Sequence, residues 1–517
     1  MDLRGSTHSP DLIERVAHER FGIRYLYPIQ RFVVSNVLEG HPQIVVLPTG
    51  SGKSLCFLLP SLLLDGPTLV ILPLRALLAD QARKLKARGI PLGTLAGGMD
   101  PGQKSRLWDE LRRGRTRLVL ATLESCLAAP NLAALRGCGI QHLVVDEAHC
   151  ISEWGDTFRP AYLRVGALAR GMGVQMISAF TATASPEVLA RIRAELFPEG
   201  EVRLVGQAAD RPEIRYSVRP VLSSHQQDLL LRTLERPLLV FCRTRGEAEM
   251  GARSARRLLA RRGVLFYHAG LSRAERSEVE SWFLGSRDGI LFATCAYGMG
   301  VDKPDIRAVI HARLPGSVED YLQESGRAGR DGRPAQAVLL FDRAAEVARR
   351  RRLADPRSRE RFDRILQYAE RAGECRRSVL LSLIGQEPVA CAGCDTCDGS
   401  AVSAAEGEDI ILRFARRHPR RFTPAETARV LSGAPGPDAR RLLHDCLPGA
   451  GSLAGWTVTQ VREALRTLSA VGRIRILRRG PWKGRIAAAR SRERPRLPSS
   501  PWTGSSPYPL NLPPAPW

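Results

Sequence analysis

Chemistry is concentrated in a few short stretches of this chain. Thr49-Gly50-Ser51-Gly52-Lys53-Ser54 follows the apolar run Ile44-Val45-Val46-Leu47 and precedes Leu55-Cys56-Phe57-Leu58-Leu59. A glycine turn between a buried strand and a helix start aims successive backbone N–H groups into one concavity, which suits phosphate. Lys53 can reach the terminal phosphates of a nucleotide, and the Ser54 hydroxyl can take a place on Mg²⁺. Asp146-Glu147 follows Leu143-Val144-Val145. There Asp146 can hold Mg²⁺ through water while Glu147 orients and deprotonates an attacking water. Arg327 and Arg330 stand three apart in Gln323-Glu324-Ser325-Gly326-Arg327-Ala328-Gly329-Arg330, a spacing that puts both on one side of a helix. Two such cations can stabilise charge on a transferring γ-phosphate. Cys375, Cys391, Cys394 and Cys397 offer four thiolates, three of them at CxxC spacing, which suits closed, structural, tetrahedral zinc. Gln30, after the Pro28 turn, carries an amide able to read an adenine edge through one donor and one acceptor.

Apolar strands alternate with helical stretches around these groups. Leu69 to Pro73, Arg117 to Thr122, Leu143 to Val145 and Gln175 to Phe180 read as strands, the last leading into Thr181-Ala182-Thr183. Alternation of this kind means a parallel sheet covered on both faces, with ligands at the C-terminal strand ends. Lys53, Asp146 and Thr181 all lie just past such ends, so they are expected to converge. A second series follows Asp210-Arg211-Pro212: Pro237 to Cys242, Val264 to Tyr267, Gly289 to Thr294 and Ala308 to His311. It carries no phosphate loop and contributes the arginines instead.

Lys+Arg 77 against Asp+Glu 53 gives a net charge of +24, which suits a polyanionic partner. Arginine supplies nearly all of it; lysine occurs only at Lys53, Lys84, Lys86, Lys104, Lys303 and Lys483. High Arg, Ala, Gly and Pro also fits a GC-rich genome. No apolar run is long enough to span a bilayer, and no signal-peptide core opens the chain, so no membrane association is expected. The 11 cysteines are an odd number scattered mostly in apolar segments, as reduced thiols of a cytoplasmic protein would be.

The ordered motifs resemble those of superfamily-two helicases. Ser152-Glu153-Trp154-Gly155 with Phe158-Arg159-Pro160, Asp210-Arg211-Pro212 and Gly298-Met299-Gly300-Val301-Asp302-Lys303-Pro304 narrow the resemblance to the RecQ family of DNA helicases. It covers about residues 12 to 400. It implies an α/β fold of two tandem RecA-like parallel-sheet lobes, residues 1–207 and 208–343, then a zinc-binding subdomain at 344–400. It further implies ATP hydrolysis with Mg²⁺, 3′ to 5′ translocation on single-stranded DNA, unwinding of forked DNA, and a role in repair and recombination. Single-strand-binding or repair proteins as partners, and a bacterial nucleoid setting, follow from the same likeness. His149 joins Lys53, Asp146, Glu147, Arg327 and Arg330 as catalytic; Tyr27, Gln30, Thr49 to Ser54, Gly300 and Asp302 join the nucleotide site. Leu47 stands where many phosphate loops have an earlier glycine, as in the helicase form of the loop.

Two positions depart from the family pattern. Trp154, Gly155, Phe158 and Arg159 of the aromatic, DNA-sensing loop are kept, so bases can stack there. The middle pair is Asp156-Thr157 rather than His-Asp, which is expected to weaken the coupling of DNA binding to hydrolysis. Tyr27 stands where an arginine usually precedes the adenine-reading Gln30.

Residues 405–489 return to helical patterning, then two β-patterned runs, Ile474 to Leu477 and Arg485 to Ala487, flank Gly480-Pro481-Trp482-Lys483-Gly484. This resembles the winged helix that follows the zinc site in the family. Trp482 is read more readily as a core residue than as a base-stacking wedge, given how often tryptophan is buried; the wedge reading makes Trp482 and Lys483 DNA-binding. Residues 490–517 are rich in Pro, Ser and Arg and read as a disordered tail, and no further helical domain of the HRDC type is patterned there. Two other classes compete: an RNA helicase, since Asp-Glu-Ala-His also occurs there, and a nucleic-acid-binding ATPase without unwinding.

Overall fold

The computed structural model describes residues 10–48, 51–153, 160–182, 185–198, 200–206, 210–297, 303–434 and 447–489. The chain divides into two compact units, with the boundary between Glu406 and Gly407. The first unit holds two parallel RecA-like sheets. Strands β1 (Gln43–Val46), β2 (Thr68–Ile71), β3 (Gly93–Leu95), β4 (Leu118–Ala121), β5 (His142–Val145), β6 (Met176–Thr181) and β7 (Arg203–Gly206) form a sheet ordered β3-β4-β2-β5-β6-β1-β7. Strands β8 (Ile214–Pro220), β9 (Leu238–Phe241), β10 (Val264–Tyr267), β11 (Ile290–Ala293), β12 (Ala308–His311) and β13 (Ala335–Phe341) form the other, ordered β10-β11-β9-β12-β13-β8.

Continuous apolar strands make this arrangement because a sheet covered by helices needs both faces buried. Side chains alternate across it: Ile44, Val46, Leu143, Val145 and Ile177 enter one core cluster, while Val45, Leu47, Val144 and Phe180 enter the other. Each such buried aliphatic contributes roughly 1.5–3 kcal/mol. In register, Val46 pairs with Thr181 and Val145 with Ala179, so the C-terminal ends of β5, β6 and β1 lie side by side. The convergence expected of Lys53, Asp146 and Thr181 is therefore built into strand order. Strands β3, β7, β8 and β13 were not anticipated; β3 is only three residues, and β7 has three of its four residues exposed.

The second sheet's core does not stop at the sheet. Phe362 and Ile365 of the helix Pro356–Glu370, Val379 and Leu380 of the helix Arg376–Leu383, and Cys394 share one cluster with Leu239, Val309 and Leu339. The cysteine segment also pairs with the sheet edge: Tyr216 of β8 bridges to Cys394 in parallel, and Asp395 N–H donates to the Tyr216 carbonyl at 3.0 Å. An open edge is thereby covered.

The second unit comprises helices Glu408–Arg417, Pro424–Ser432 and Val458–Ala470, then an antiparallel hairpin of β14 (Ile474–Ile476) and β15 (Ile486–Ala488). Thr423 with Glu426, and Thr457 with Gln460, make reciprocal caps at two helix starts. Phe414, Leu431, Trp456, Leu465 and Ile486 are buried in it. Pro435-Gly436-Pro437 and residues 490–517 lie outside the described residues.

Candidate nucleotide site and cysteine cluster

The helix Lys53–Leu63 begins immediately after Gly52, which sits at φ +77°. That backbone favours glycine, and a Cβ there would stand 2.6 Å from the Gln30 amide nitrogen and push the amide from its place. Gln30 Nε2 donates to the Ser51 carbonyl at 2.8 Å, and its Oε1 accepts from the Tyr27 N–H at 3.1 Å. The amide thus braces the phosphate loop and the preceding turn, leaving one N–H and one lone pair for an adenine edge. Tyr27 is exposed, edge-on to Tyr25 with ring centroids 6.0 Å apart. Ser54 Oγ accepts from Gln81 Nε2 at 3.4 Å.

Lys53 Nζ lies 4.0 Å from Glu147 Oε2, and neither of these buried atoms makes a hydrogen bond among the described residues. A buried cation and anion left without hydrogen bonds are costly unless a ligand completes them. Glu147 adopts φ +50°, a left-handed conformation that costs a non-glycine residue about 1–2 kcal/mol. Strain held at a carboxylate that points toward a phosphate cradle is of the kind functional sites keep. Asp146 Oδ1 accepts from the Glu147 N–H at 3.0 Å. His149 Nδ1 is 3.1 Å from Thr181 Oγ1 and 3.4 Å from Glu147 Oε2, joining the acidic segment to the end of β6.

Burial, then repulsion from Glu147, pushes the Asp146 carboxyl up to about 7. A divalent cation there would restore its charge, so the donor set fits Mg²⁺. Burial also pushes Glu147 up, but Lys53, His149, Arg327 and Arg330 together more than offset it, leaving it below its ordinary value. Arginines of the second lobe thus act on a carboxylate of the first. Burial and then Arg330 lower the Arg327 guanidinium to about 10, and burial lowers His149.

Arg327 and Arg330 are not on a helix. The helix Val318–Ser325 ends before them, with Gly326 as its C-cap, and both arginines occupy the turns that follow. Gly329 at φ +61° makes helix continuation impossible, and a Cβ there would meet the Arg333 carbonyl at 2.8 Å. Arg211 fixes these turns: its guanidinium donates to the carbonyls of Gly326, Ala328 and Gly329 at 2.8, 3.1 and 3.2 Å. That role was invisible in the sequence, where Asp210-Arg211-Pro212 was only a family marker.

Sγ atoms of Cys375, Cys391, Cys394 and Cys397 lie within 4.8 Å of one another. Tetrahedral zinc at about 2.3 Å from each sulfur would set them roughly 3.8 Å apart, so the cluster fits that ion. Cys375 caps the helix Arg376–Leu383; burial opposes its ionisation, but hydrogen bonds from Ser378 and neighbouring thiols bring it down to about 6. Asp395, between the cysteines, accepts from Arg376 Nε at 3.0 Å and from the Val218 N–H at 2.9 Å, both ends fully buried.

Trp482 is 44 % exposed, with the Arg420 guanidinium 4.9 Å from its ring centroid. The core reading of Trp482 is therefore incorrect: the ring stands on the turn of residues 480–484, partly open to solvent and covered on one part by Arg420. Thr49, Gly50, Trp154, Asp156, Phe158, Arg159, Gly300 and Asp302 lie outside the described residues.

Comparison with known proteins agrees with this geometry. Residues 27–192 match the DEAD/DEAH box helicase model, 224–332 the helicase conserved C-terminal domain, and 343–398 the RecQ zinc-binding model. The ATP-dependent DNA helicase RecQ of Synechocystis is 37 % identical over 333 residues, 61 % of this chain and 68 % of that protein. The RecQ of Pasteurella multocida is 34 % identical over 394 residues, 74 % of this chain and 61 % of that protein. ATP-dependent DNA helicase Q5 of Rattus norvegicus is 34 % identical over 413 residues, and the chain spans only 42 % of its length. Among solved structures, Mycobacterium smegmatis helicase Lhr bound to ssDNA and AMP-PNP shares the fold at TM-score 0.52 and 19 % identity, over 92 % of this chain and 60 % of that one.

Proposed function

Because the chain belongs to the RecQ helicase family, we propose that it is an ATP-dependent DNA helicase that unwinds duplexes while translocating 3′ to 5′ on single-stranded DNA. One observation carries this reading: Lys53 Nζ and Glu147 Oε2 of one lobe lie 4.0 Å apart with no hydrogen bond among the described residues, in the electrostatic range of Arg327 and Arg330 of the other. A triphosphate between them would be held by Lys53 and the phosphate-loop N–H groups. Glu147 would take the proton of the attacking water, with His149 and Thr181 fixing its orientation. Arg327 and Arg330 would stabilise charge on the γ-phosphoryl group. Mg²⁺, held by Asp146 and Ser54, would neutralise phosphate charge. Closure of the lobes on ATP and release after hydrolysis then moves the DNA-contacting surfaces.

The polarity, and a role in repair and recombination, rest on the family resemblance. So do single-strand-binding or repair proteins as partners. The domain plan is 1–207, 208–343, 344–400, a winged helix at 405–489 and a tail at 490–517. Zinc on the four cysteines is structural in this reading. Among the described residues no helix is long and apolar enough to cross a membrane; a cytoplasmic, nucleoid setting is part of the proposal. ATP turnover measured with single-stranded DNA and with RNA of equal length tests the substrate: the account expects stimulation by DNA, and stimulation by RNA alone would make it an RNA helicase.

A further inference from the structure

The geometry points to Arg211 as a positioning residue for Arg327 and Arg330, held in its own place by Arg377 from the cysteine-capped helix; the inference rests on the ATP-hydrolysing reading above. The turns that carry the two arginines begin where a helix ends, so their carbonyls have no helical N–H to accept from. Arg211 supplies donors to three of them, and the Gly329 carbonyl also accepts from the Gly332 N–H at 3.0 Å. Three of its bonds go to Gly326, immediately before Arg327, and to Ala328 and Gly329, between Arg327 and Arg330. A planar fork reaches three carbonyls from two separate nitrogens in one fixed arrangement, whereas the donors of an ammonium all diverge from a single nitrogen. Its Nε is directed at Glu213 Oε2, 3.3 Å away, which orients the fork.

Arg377 in turn fixes the backbone on both sides of Arg211. It pairs with the Asp210 carboxylate and donates to the Arg211 carbonyl at 3.0 Å and the Ile214 carbonyl at 2.8 Å. Its side chain is 1 % exposed, with the guanidinium 5.4 Å from the Tyr216 ring centroid. It follows Cys375 by two residues, and the neighbouring Arg376 is locked to Asp395 between the cysteines. Hydrogen bonds, joined by the chain step from Arg376 to Arg377, therefore link the cysteine-bearing segment to the turn holding the catalytic arginines. Arg327 is 4 % exposed, and its Nε makes no hydrogen bond among the described residues.

Steady-state ATP turnover with single-stranded DNA tests this in Arg211→Gln, Arg211→Lys and Arg377→Lys, each alone and combined with Arg330→Ala, with zinc content and melting temperature recorded. Misplaced arginines predict a fall in kcat of about 10²-fold for either Arg211 variant, with KM for ATP within about twofold and zinc retained. In the Arg330→Ala background the same substitutions should cause a smaller fall than in the wild type, because only Arg327 is left to misplace. Arg377→Lys should show the same pattern with a smaller fall, about tenfold. Arg211→Lys keeps the charge and stem, so it serves if Arg211→Gln folds poorly. Unchanged kcat, losses that multiply in the Arg330→Ala background, or a rise in KM with kcat kept would overturn the inference. An active wild type with such results sinks this inference alone; an inert wild type sinks the functional reading and this inference with it.

Discussion

The two sheets of the first unit deliver their functional side chains by different means. In the first, Lys53, Asp146 and Thr181 follow directly from the ends of adjacent strands β1, β5 and β6, so strand order alone brings them together. In the second, Arg327 and Arg330 sit in turns beyond a helix end, held by Arg211 and, through it, by the cysteine-bearing segment. One half of the site is a property of the sheet; the other depends on side chains far away in sequence. The first half should therefore fail only through its own residues, and the second through its supports as well.

Substitutions at the reacting groups should have the largest effects. Lys53→Ala and Glu147→Gln should lower ATP turnover by about 10³-fold or more while circular dichroism and DNA binding stay near wild type. Arg330→Ala should lower turnover by about 10³-fold yet leave nucleotide binding intact. Near-normal turnover in any of these would break the account of a shared site. Next comes the metal cluster. Cys391→Ser should reduce zinc from about one per chain to near zero and lower the melting temperature markedly, since metal binding and folding are coupled. If the path from cysteines to arginines holds, its kcat also falls, by less than that of Glu147→Gln; an unchanged zinc content would refute the site.

The hairpin of the second unit gives a smaller, more selective effect. Exposing a tryptophan forfeits hydrophobic burial, and Arg478, Arg479, Lys483 and Arg485 surround the Trp482 turn with phosphate-seeking charge. Trp482→Ala should impair strand separation several-fold while single-strand-stimulated ATPase and melting temperature change little. Equal loss of both activities would mean the ring acts in the fold or the motor.

The smallest effect concerns an ion pair between the first lobe and the zinc-bearing segment. Arg364 donates to both carboxylate oxygens of Glu187, at 3.0 and 2.8 Å, and holds that carboxyl down to about 2. A depressed carboxylate adds stability that is fully present above its unfolded value, near 4.5, and is lost as pH falls toward 2. Glu187 is largely exposed, so the contribution is at most about 1 kcal/mol. Glu187→Gln should flatten the pH dependence of unfolding between those values, and an unchanged slope would remove the pair from the account.

How much of this was legible in the sequence follows the same division. The phosphate loop, Asp146-Glu147 and the paired cysteines announce themselves because their chemistry depends on local spacing. Strands such as β5 are legible because burial on both faces leaves an uninterrupted apolar run. The placement of Arg327 and Arg330 was misread as helical because their spacing of three fits a helix, while the Gly326 stop and the left-handed Gly329 outweigh it. Trp482 was misread because tryptophan's usual burial gives way here to a hairpin tip and a covering arginine. Arg211 and Arg377 carried no signal because their partners are backbone carbonyls, which no residue type advertises.

The central claim, that hydrolysis between the two lobes drives strand separation, is tested most directly by displacement from a duplex with a 3′ single-stranded tail. The account predicts release of the displaced strand with ATP and Mg²⁺. It predicts none with a non-hydrolysable analogue, with Glu147→Gln, or from a duplex bearing only a 5′ tail. Rapid DNA-stimulated hydrolysis without displacement, or displacement that persists in Glu147→Gln, would contradict it.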